Sequence, residues 1–389
     1  MLRNITVGID IGTYATRVVV AEFFKGENFP RVLGTGISES KGVRHGYIAN
    51  IDDAIKSIRR AVHEAEKNSG VKIKKAIVSI GGISLSSEIG YGSAIISKAD
   101  GEVTVLDVNK AIAESENNLQ ILNKKIIHTI PIQYKLDGKE IHGRPEGMRG
   151  IKLEIRTLFI TTLEQHLDDL LMAISQCDIE VLDIIASPFA ESLIVMSEKQ
   201  KAAGCILANI GAETVSLAVF ENGNIVSLHV FSIGSTDITN DIALGLKIPL
   251  EEAEAVKTGL LVKDYSKKKL DQIIEARLTD IFELIENHLK KIKRNGLLPA
   301  GIIFTGGGSS NALIQDLARE ILKIPTKAVH PDMYSFTKGK IKNSAWFVAL
   351  GLCAAGKDSL VPSSSYSSIK RVFQNAKNFF TNIGKQLLP

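Results

Sequence analysis

Asp10 stands in a short glycine loop near the start of the chain, between Gly8 and Gly12. Apolar residues lie on both sides of this loop, which is typical of a hairpin between two buried strands. Glycine allows backbone amides to approach a ligand closely, and those amides suit an anion. A lone carboxylate among them would repel phosphate unless a divalent cation lay between the two groups. The loop therefore predicts a nucleotide phosphate site in which Asp10 faces Mg2+ through water.

The pattern returns later in the chain at a constant offset, where Asn209 falls on Asp10 and Gly211 falls on Gly12. A second apolar hairpin follows at that point. Two hairpins with the same glycine and apolar spacing indicate a duplicated lobe, and two facing turns would clamp a phosphate chain between them. The alternative is a chance similarity of two buried hairpins.

A third glycine turn contains Gly306, Gly307 and Gly308, and it lies between an apolar run and a helical pattern. A strand, a triple glycine and a helix N-terminus together favour an anion or nucleotide site. The alternative is a tight joint between a strand and a helix. The sequence contains neither a GxxxxGK[ST] loop nor a GxGxxG after a strand, so the nucleotide motifs belong to another class.

The elements that would carry these loops alternate between strand and helix patterns. A helix with apolar residues at helical spacing begins near Asp52, and a buried strand covers 76–80. Residues 83–161 have a different pattern, with a strand, a helix and two further strands joined by a polar turn, and they predict a small α+β insertion. After it, the helix and strand patterns of the first lobe return. A helical insert covers about 244–299, between the second glycine turn and the third.

The long helix of this insert ends in a cluster of cations that precedes an Asn-Gly stop. One interpretation is that these cations complement the partial negative charge of the helix C-terminus. The other interpretation is a docking patch for an acidic peptide. The cations are Lys290, Lys291, Lys293 and Arg294.

The composition predicts a globular protein of two or more lobes, with 389 residues, 44% of them hydrophobic and 23% charged. The three cysteines are widely spaced and form no CxxC or Cys/His cluster, which argues against zinc and against a disulfide scaffold. A reducing cytoplasm fits this usage. The first residues lack a signal-peptide apolar region, and the longest apolar stretches are too short to span a bilayer.

The net charge of +4 is concentrated at the end of the chain. After Asp358 there is no acidic residue, whereas four basic residues remain and equal the whole excess. The preceding residues are formally neutral, which argues against nucleic-acid binding by the body of the protein.

A serine-rich linker over 362–368 precedes a stretch with apolar residues on one helical face and cations along the other. A stripe this apolar suits a membrane interface rather than a membrane span, because cations recur along its length. The alternatives are a helix packed on its own body or a helix that binds a partner. The predicted membrane residues are Ile369, Lys370, Arg371, Val372, Phe373, Ala376, Lys377, Phe379, Phe380, Ile383, Lys385, Leu387 and Leu388.

The three glycine motifs resemble those of the actin-like ATPase superfamily, which holds a nucleotide between duplicated lobes. Arg17 stands where actins carry a phosphate-contacting lysine, residues 209–214 resemble the second phosphate loop, and the triple glycine resembles the adenosine motif. The resemblance implies that ATP and Mg2+ are the ligands. It assigns nucleotide contacts to Asp10, Gly12, Thr13, Arg17, Asn209, Gly211, Ala212, Glu213, Thr214, Glu254, Lys257, Gly306, Gly307, Gly308 and Ser309.

Within that superfamily nearly the whole chain resembles the FtsA family of bacterial cell-division proteins, with the closest motifs at 128–138, 147–154 and 237–246. By this likeness Glu254 and Lys257 lie near the ribose and adenine. The implied fold is α/β, with actin-like duplicated ribonuclease-H-type lobes around a nucleotide cleft, an inserted α+β subdomain called 1C, and a C-terminal amphipathic helix. The expected divisions are 1A at 1–82, 162–187 and 345–362; 1C at 83–161; 2A at 188–243 and 300–344; 2B at 244–299; and linker plus membrane helix at 363–389.

Three departures from the superfamily pattern lower the expected rate of hydrolysis. Asn209 replaces the usual aspartate, Glu213 replaces a small residue, and Ser187 with the following proline stands where chaperone-like relatives carry a carboxylate that helps to place water. Hydrolysis needs a placed water and compensated charge, so we expect slow ATPase activity at most. No catalytic residue is assigned from the sequence.

The resemblance implies a protein that polymerises like actin on the inner face of the cytoplasmic membrane at the division site. Its expected partners are the C-terminal tail of FtsZ, which would bind the helical insert, further copies of itself, and anionic lipids. The closest alternative is a scaffold of pilus assembly similar to PilM. A sugar or acetate kinase of the same superfamily is less favoured because it needs no lipid helix, and a chaperone would require a peptide-binding domain after the ATPase.

Overall fold

The computed structural model describes residues 4–24, 29–261, 265–334, 337 and 339–359. The predicted linker and membrane helix, 363–389, lie outside these residues. The strands are β1 (Asn4–Ile11), β2 (Ala15–Phe23), β3 (Arg31–Glu39), β4 (Val43–Arg44), β5 (Tyr47–Ile48), β6 (Lys75–Ile80), β7 (Ser86–Ile95), β8 (Lys124–Leu136), β9 (Lys139–Ile141), β10 (Lys152–Leu163), β11 (Glu180–Ala186), β12 (Cys205–Ile210), β13 (Val215–Glu221), β14 (Asn224–Phe231), β15 (Ile302–Thr305) and β16 (Thr326–Ala328).

The helices alternate with these strands through most of the described chain. They are α1 (Ile51–Ser69), α2 (Val105–Asn117), α3 (Glu164–Ser175), α4 (Ser187–Val195), α5 (Glu198–Ala203), α6 (Ser235–Leu246), α7 (Leu250–Lys257), α8 (Lys267–Lys291), α9 (Leu313–Leu322) and α10 (Phe347–Ser359). Among the helices of the described residues, none has both the length and the apolar content needed to cross a bilayer.

Two five-stranded sheets share one topology. The first has the order β11-β6-β1-β2-β3, and the second has the order β16-β15-β12-β13-β14. In each sheet the central strand is antiparallel to the next strand in sequence and parallel to a later one. The predicted duplication of the lobe is therefore confirmed at the level of strand order and direction.

A smaller four-stranded sheet, β7-β10-β8-β9, interrupts the first lobe and packs against α2. Its strands are antiparallel, and α2 begins with a capping box in which Thr104 and Asp107 satisfy each other's backbone amides. The predicted α+β character of this insertion is confirmed. Ser87 on β7 exchanges hydrogen bonds with the backbone of Leu228 on β14, so the insertion also contacts the second lobe.

Helix positions follow from capping and from apolar spacing. Helix α1 begins at Ile51 because the Asn50 side chain accepts a hydrogen bond from the Asp53 amide at 3.1 Å, and it ends at Gly70, whose φ of 69° suits glycine. Its buried face covers β3, where a Cβ at Gly36 would lie 2.0 Å from the Ala61 carbonyl oxygen. Glycine at this position therefore permits the close contact between helix and sheet.

The third glycine turn has the predicted order of strand, glycines and helix. The residues after β15 form a single 3-10 turn over Gly307–Ser310, and α9 begins only at Leu313. The Asn311 side chain accepts a hydrogen bond from the Leu313 amide at 2.9 Å, and this contact separates the two helical pieces. The N-terminus of α9 therefore does not follow directly on the glycines.

Candidate functional site

Asp10 is buried near the end of β1, and the Ser79 hydroxyl donates to it at 2.7 Å from the parallel strand β6. Burial raises the pKa of Asp10, whereas the Ser79 hydrogen bond and the charge of Arg17 lower it. Arg17 is the direct partner of Asp10 in the β1–β2 register. Burial disfavours the ionised form of Asp10, so a cation bound next to this side chain would strongly stabilise the carboxylate.

Arg17 has a donor that the described residues leave unsatisfied. Its Nη1 donates to the Ala15 carbonyl oxygen at 3.3 Å, and its guanidinium carbon lies 5.9 Å from the centre of the Trp346 ring. Its Nε is buried and has no hydrogen-bond partner within the described chain. An orphaned guanidinium N–H is what a phosphate oxygen would satisfy, so this residue fits a bound phosphate.

The second loop is held by the start of α6. The amides of Ser235 and Thr236 donate to the carbonyl oxygens of Gly211 and Ala212 at 2.9 and 2.8 Å. A Cβ at Gly234 would lie 2.3 Å from the Ala212 carbonyl oxygen, so glycine is required for this contact. Thr214 accepts a hydrogen bond from the Gly211 amide at 2.8 Å and closes the turn.

Glu191 is a functional candidate that sequence reasoning missed. Its fully buried carboxyl lies on α4 and accepts a hydrogen bond from the Asn209 side chain at 2.8 Å. Burial raises the pKa of Glu191 to about 8; the Asn209 bond lowers it and the charge of Asp10 raises it. The superfamily pattern predicts a carboxylate at position 187, whereas the chain supplies one about a turn later in the same helix. The sequence signal for this residue is that Glu191 is the only charged residue in the apolar helix α4.

The triple glycine meets the second loop directly. Gly306 has a φ of 85°, and a Cβ there would lie 2.5 Å from the Asn209 side-chain oxygen. The Ser309 hydroxyl donates to the Gly306 carbonyl oxygen at 2.8 Å and is buried, so it holds the turn. A Cβ at Gly307 would meet nothing within 4 Å, which leaves space beside this residue.

Glu254 and Lys257 lie next to each other on α7. The Lys257 ammonium is 2.7 Å from the Glu254 carboxylate and donates to the Thr239 hydroxyl at 2.7 Å and to the Ser235 carbonyl oxygen at 3.0 Å. These contacts tie α7 to the same end of α6 that holds the second loop. Their placement near a ribose and adenine stays a prediction.

The cation cluster at the end of α8 divides into two kinds. Lys290 pairs with Glu286 at 2.9 Å, and Arg294 pairs with Glu221 at 2.7 Å. Lys290, Lys291 and Lys293 are all exposed, but Lys291 and Lys293 form no ion pair with the described residues. The first two cations are thus paired within the chain, and the second two are available to a partner.

An open cavity of about 290 Å³ lies on the insertion rather than at the glycine loops. Both charge signs line it, which does not suit a polyphosphate. Its polar and aromatic lining includes Tyr91, Glu114, Lys135, Lys152, Glu154 and Arg156.

The structure brings the three glycine motifs together around Asn209. This side chain contacts Glu191 and lies against Gly306, while Asp10 is close enough to act on the pKa of Glu191. The set offers two buried carboxyl groups, those of Asp10 and Glu191, together with one unsatisfied guanidinium donor and three glycine turns. Mg2+ in nucleotide sites is usually bound by one or two carboxylates together with substrate phosphates, so the residues present fit Mg2+ and a nucleotide.

Comparison with known proteins gives two family matches. The family described as Cell division protein FtsA matches residues 206–351, and the SHS2 domain inserted in FtsA matches residues 82–161. Among similar proteins, Cell division protein FtsA of Bacillus subtilis is 30% identical over 352 residues, 85% of this chain and 79% of that protein. Cell division protein FtsA of Pseudomonas aeruginosa is 29% identical over 391 residues, 93% of each chain.

Solved structures share the fold at low sequence identity. The PilM-PilN type IV pilus biogenesis complex superposes with a TM-score of 0.67 at 16% identity, covering 90% of this chain and 98% of that chain. MreB5 of Spiroplasma citri bound to AMPPNP gives a TM-score of 0.53 at 14% identity, covering 96% and 98%. Together with the two matching sheets, these likenesses confirm the predicted actin-like α/β fold.

Proposed function

The chain belongs to the FtsA family of bacterial cell-division proteins, and on that premise we propose that it binds ATP with Mg2+ and anchors FtsZ filaments to the inner face of the cytoplasmic membrane at the division site. In this proposal it polymerises like actin, and the bound nucleotide sets the closure of the lobes that controls polymerisation. Family membership favours this function over the pilus scaffold and over the small-molecule kinase.

One observation carries the nucleotide proposal. The buried Nε of Arg17 has no partner among the described residues, and it stands beside the buried Asp10 at a glycine turn. A phosphate would satisfy the guanidinium, and a divalent cation would stabilise the carboxylate. When bound, ATP supplies its phosphate chain and Mg2+ neutralises part of the charge on that chain. The chain's own residues hold and orient these groups.

The charges around the second loop favour holding a nucleotide over hydrolysing it. Asn209 is neutral, and Glu191 with a pKa of about 8 is mostly protonated at neutral pH. Neither group is an ionised carboxylate that would orient an attacking water. We therefore expect at most slow hydrolysis. Multiple-turnover phosphate release at about 1–100 s⁻¹, the rate typical of kinases, would contradict this part.

The test of the site is equilibrium binding of ATP to the full chain with and without Mg2+. Asp10→Ala should weaken MgATP binding at least tenfold, on the order expected for a lost metal contact, and should remove most of the dependence on Mg2+. Asp52→Ala removes an exposed carboxylate from the same lobe and is the matched control. Unchanged affinity in Asp10→Ala would refute the assignment.

The membrane role rests on the sequence of residues 369–388, which lie outside the described part of the structure. Four cations near anionic lipid contribute about 1 kcal/mol each, and the apolar face supplies the rest. Liposomes with anionic lipid should sediment the full chain and not a chain that ends at Val361. Phe380→Glu should abolish sedimentation, whereas Asn378→Glu, with the same charge change on the polar face, should only weaken it. Equal sedimentation of both chain lengths would refute the tail assignment.

The FtsZ contact is proposed for Lys291 and Lys293, the two exposed cations at the end of α8 that form no ion pair with the described residues. Their charge suits an acidic peptide such as the FtsZ tail. The double charge reversal Lys291→Glu with Lys293→Glu should weaken binding of the full chain to an FtsZ C-terminal peptide about tenfold or more, on the order expected from lost charge complementarity. Lys268→Glu at the other end of α8 is the control and should leave binding unchanged. If all variants bind the peptide with equal affinity, the peptide does not bind at Lys291 and Lys293.

We also propose that the subdomain boundaries are those expected from the sequence, with 1C at 83–161 and 2B at 244–299. The buried cores support 1C as a unit in its outer part, where Leu153, Ile155 and Val108 form a cluster of their own. Ile127 and Ile160 of the same insertion pack into the core of the first lobe. Limited proteolysis that releases the insertion as a stable fragment supports this division, and cuts within 83–161 at rates equal to those at its ends would contradict it.

A further inference from the structure

The short hairpin of β4 and β5 reaches into the space between the two phosphate loops. Its turn residues His45 and Gly46 have φ values of 48° and 79°, the pair of left-handed conformations that a two-residue hairpin turn requires. The Gly46 amide donates to the Thr13 hydroxyl at 3.1 Å, which fixes the hairpin tip on the first loop. The tip is therefore a defined part of the cleft.

The same tip holds Glu213 of the second loop. The Arg44 guanidinium donates to one carboxylate oxygen at 2.7 Å, and the His45 amide donates to the other at 2.7 Å. The Glu213 side chain is 12% exposed, whereas that of Arg44 is 76% exposed. A carboxylate from one lobe is thus withdrawn from water and held by two donors from the other lobe.

This ion pair compensates a negative charge that lies close to the predicted phosphate contacts of the second loop. Glu213 follows directly on Gly211 and Ala212, whose backbone belongs to the predicted phosphate contacts. An uncompensated carboxylate there would repel a polyphosphate, and the repulsion grows with each phosphate added. Arg44 brings the opposite charge to the Glu213 oxygen, so the pair presents little net charge to the ligand.

We propose that Arg44 is a positioning residue of the nucleotide site, which neutralises Glu213 across the cleft so that the second loop can accept a nucleoside triphosphate. This inference rests on the proposed nucleotide function. Because Arg44 and Glu213 lie on opposite lobes, phosphate binding would then depend on closure of the lobes, which brings the two charges together. The same role of Arg44 also assigns a purpose to Glu213, which stands where the superfamily pattern has a small residue.

The test measures the affinities of the full chain for MgATP, MgADP and adenosine. Arg44→Gln should weaken MgATP binding about tenfold, since charge interactions near water are partly screened, should weaken MgADP less, and should leave adenosine unchanged. Arg60→Gln removes one exposed cation from α1 in the same lobe and is the matched control. If Arg44→Gln instead disrupted the structure of the site, the affinity for adenosine would fall as much as the affinity for MgATP.

A double variant distinguishes two explanations for a weaker MgATP affinity in Arg44→Gln: the loss of charge compensation and the disruption of the hairpin. The double variant Arg44→Gln with Glu213→Gln should return the MgATP affinity to within about twofold of the wild type, because both charges are then absent. Arg44→Lys should recover part of it. Equal MgATP affinity in Arg44→Gln and Arg60→Gln, or no rescue by the double variant, would overturn the inference. If the wild type binds neither ATP nor adenosine, the proposed nucleotide function fails as well.

Discussion

The hairpins β1–β2 and β12–β13 have the same register but place their charges differently. In the first hairpin Asp10 is opposite Arg17, and in the second Asn209 is opposite Ser216. The first loop thus contains a buried pair of opposite charges, and the second contains two neutral side chains. Between them lies Glu191, which reaches the second loop from a helix rather than from its own strand.

This difference shows that the duplication preserves backbone geometry and not side-chain chemistry. A carboxyl is present at both loops, but it is ionisable beside a cation in the first and hydrogen-bonded to a neutral amide in the second. Because the two carboxyls influence each other, ionising both together would be unfavourable. The cleft thereby keeps one acidic group suited to a metal and one suited to remaining protonated.

The largest expected effect follows from the protonated state of Glu191. Its pKa is raised from 4.5 to about 8, so between these values the folded chain holds a proton that the unfolded chain has lost. The contribution of Glu191 to stability is therefore fully present below about pH 4.5, falls as pH rises through this window, and is lost above about pH 8. Relative to Glu191→Gln, the free energy of unfolding of the wild type should fall by about 4 kcal/mol from pH 5 to pH 9.

Denaturant unfolding of both proteins across this pH range checks that value. Asp183 also has a raised pKa, of about 7, but it is present in both proteins and cancels in the difference. Glutamine keeps the acceptor for the Asn209 side chain, so the substitution leaves the hydrogen bond in place. A difference that stays constant with pH would mean that Glu191 is ionised in the folded chain, like an ordinary carboxylate.

Local patterns explain which parts of the site could be predicted. The loops at Asp10 and Asn209 follow from glycine and apolar spacing, and the shared strand register confirms the offset between them. The contacts of Glu191 and Arg44 could not be predicted in this way, because each depends on where a distant element packs. Spacing within a segment gives no information on which helix or hairpin will meet a loop far away in the chain.

A second test makes the second loop resemble the first. Asn209→Asp replaces the amide donor 2.8 Å from the Glu191 carboxylate with another carboxyl. The half-buried carboxyl at position 209 and the buried carboxyl of Glu191 must then share one proton. We expect a loss of about 3 kcal/mol in the free energy of unfolding at pH 8, with a smaller loss at pH 5. Thermal or denaturant unfolding at the two pH values measures this.

The exchanged pair gives the control for that variant. Asn209→Asp with Glu191→Gln reverses donor and acceptor and should recover the stability to within about 1 kcal/mol. Asn240→Asp on the exposed side of α6 should change stability by less than about 0.5 kcal/mol. If the exchanged pair is no more stable than Asn209→Asp alone, the juxtaposition of two carboxyls is not the cause of the lost stability.

The smallest effect concerns the first loop, where the Ser79 hydroxyl donates to Asp10 at 2.7 Å. Ser79→Ala leaves a buried carboxylate with one donor fewer, so the free energy of unfolding should fall by about 2 kcal/mol and the pKa of Asp10 should rise further. A higher pKa reduces the fraction of carboxylate available to a metal, so Ser79→Ala should bind MgATP more weakly than the wild type, and its affinity should fall further as pH is lowered. Ser38→Ala, which removes only a bond to the neighbouring Glu39 carbonyl oxygen, should shift neither quantity measurably. If Ser79→Ala lowers stability but leaves the pH dependence of binding unchanged, Asp10 stays ionised without this bond, and the charge of Arg17 alone maintains the difference between the two loops.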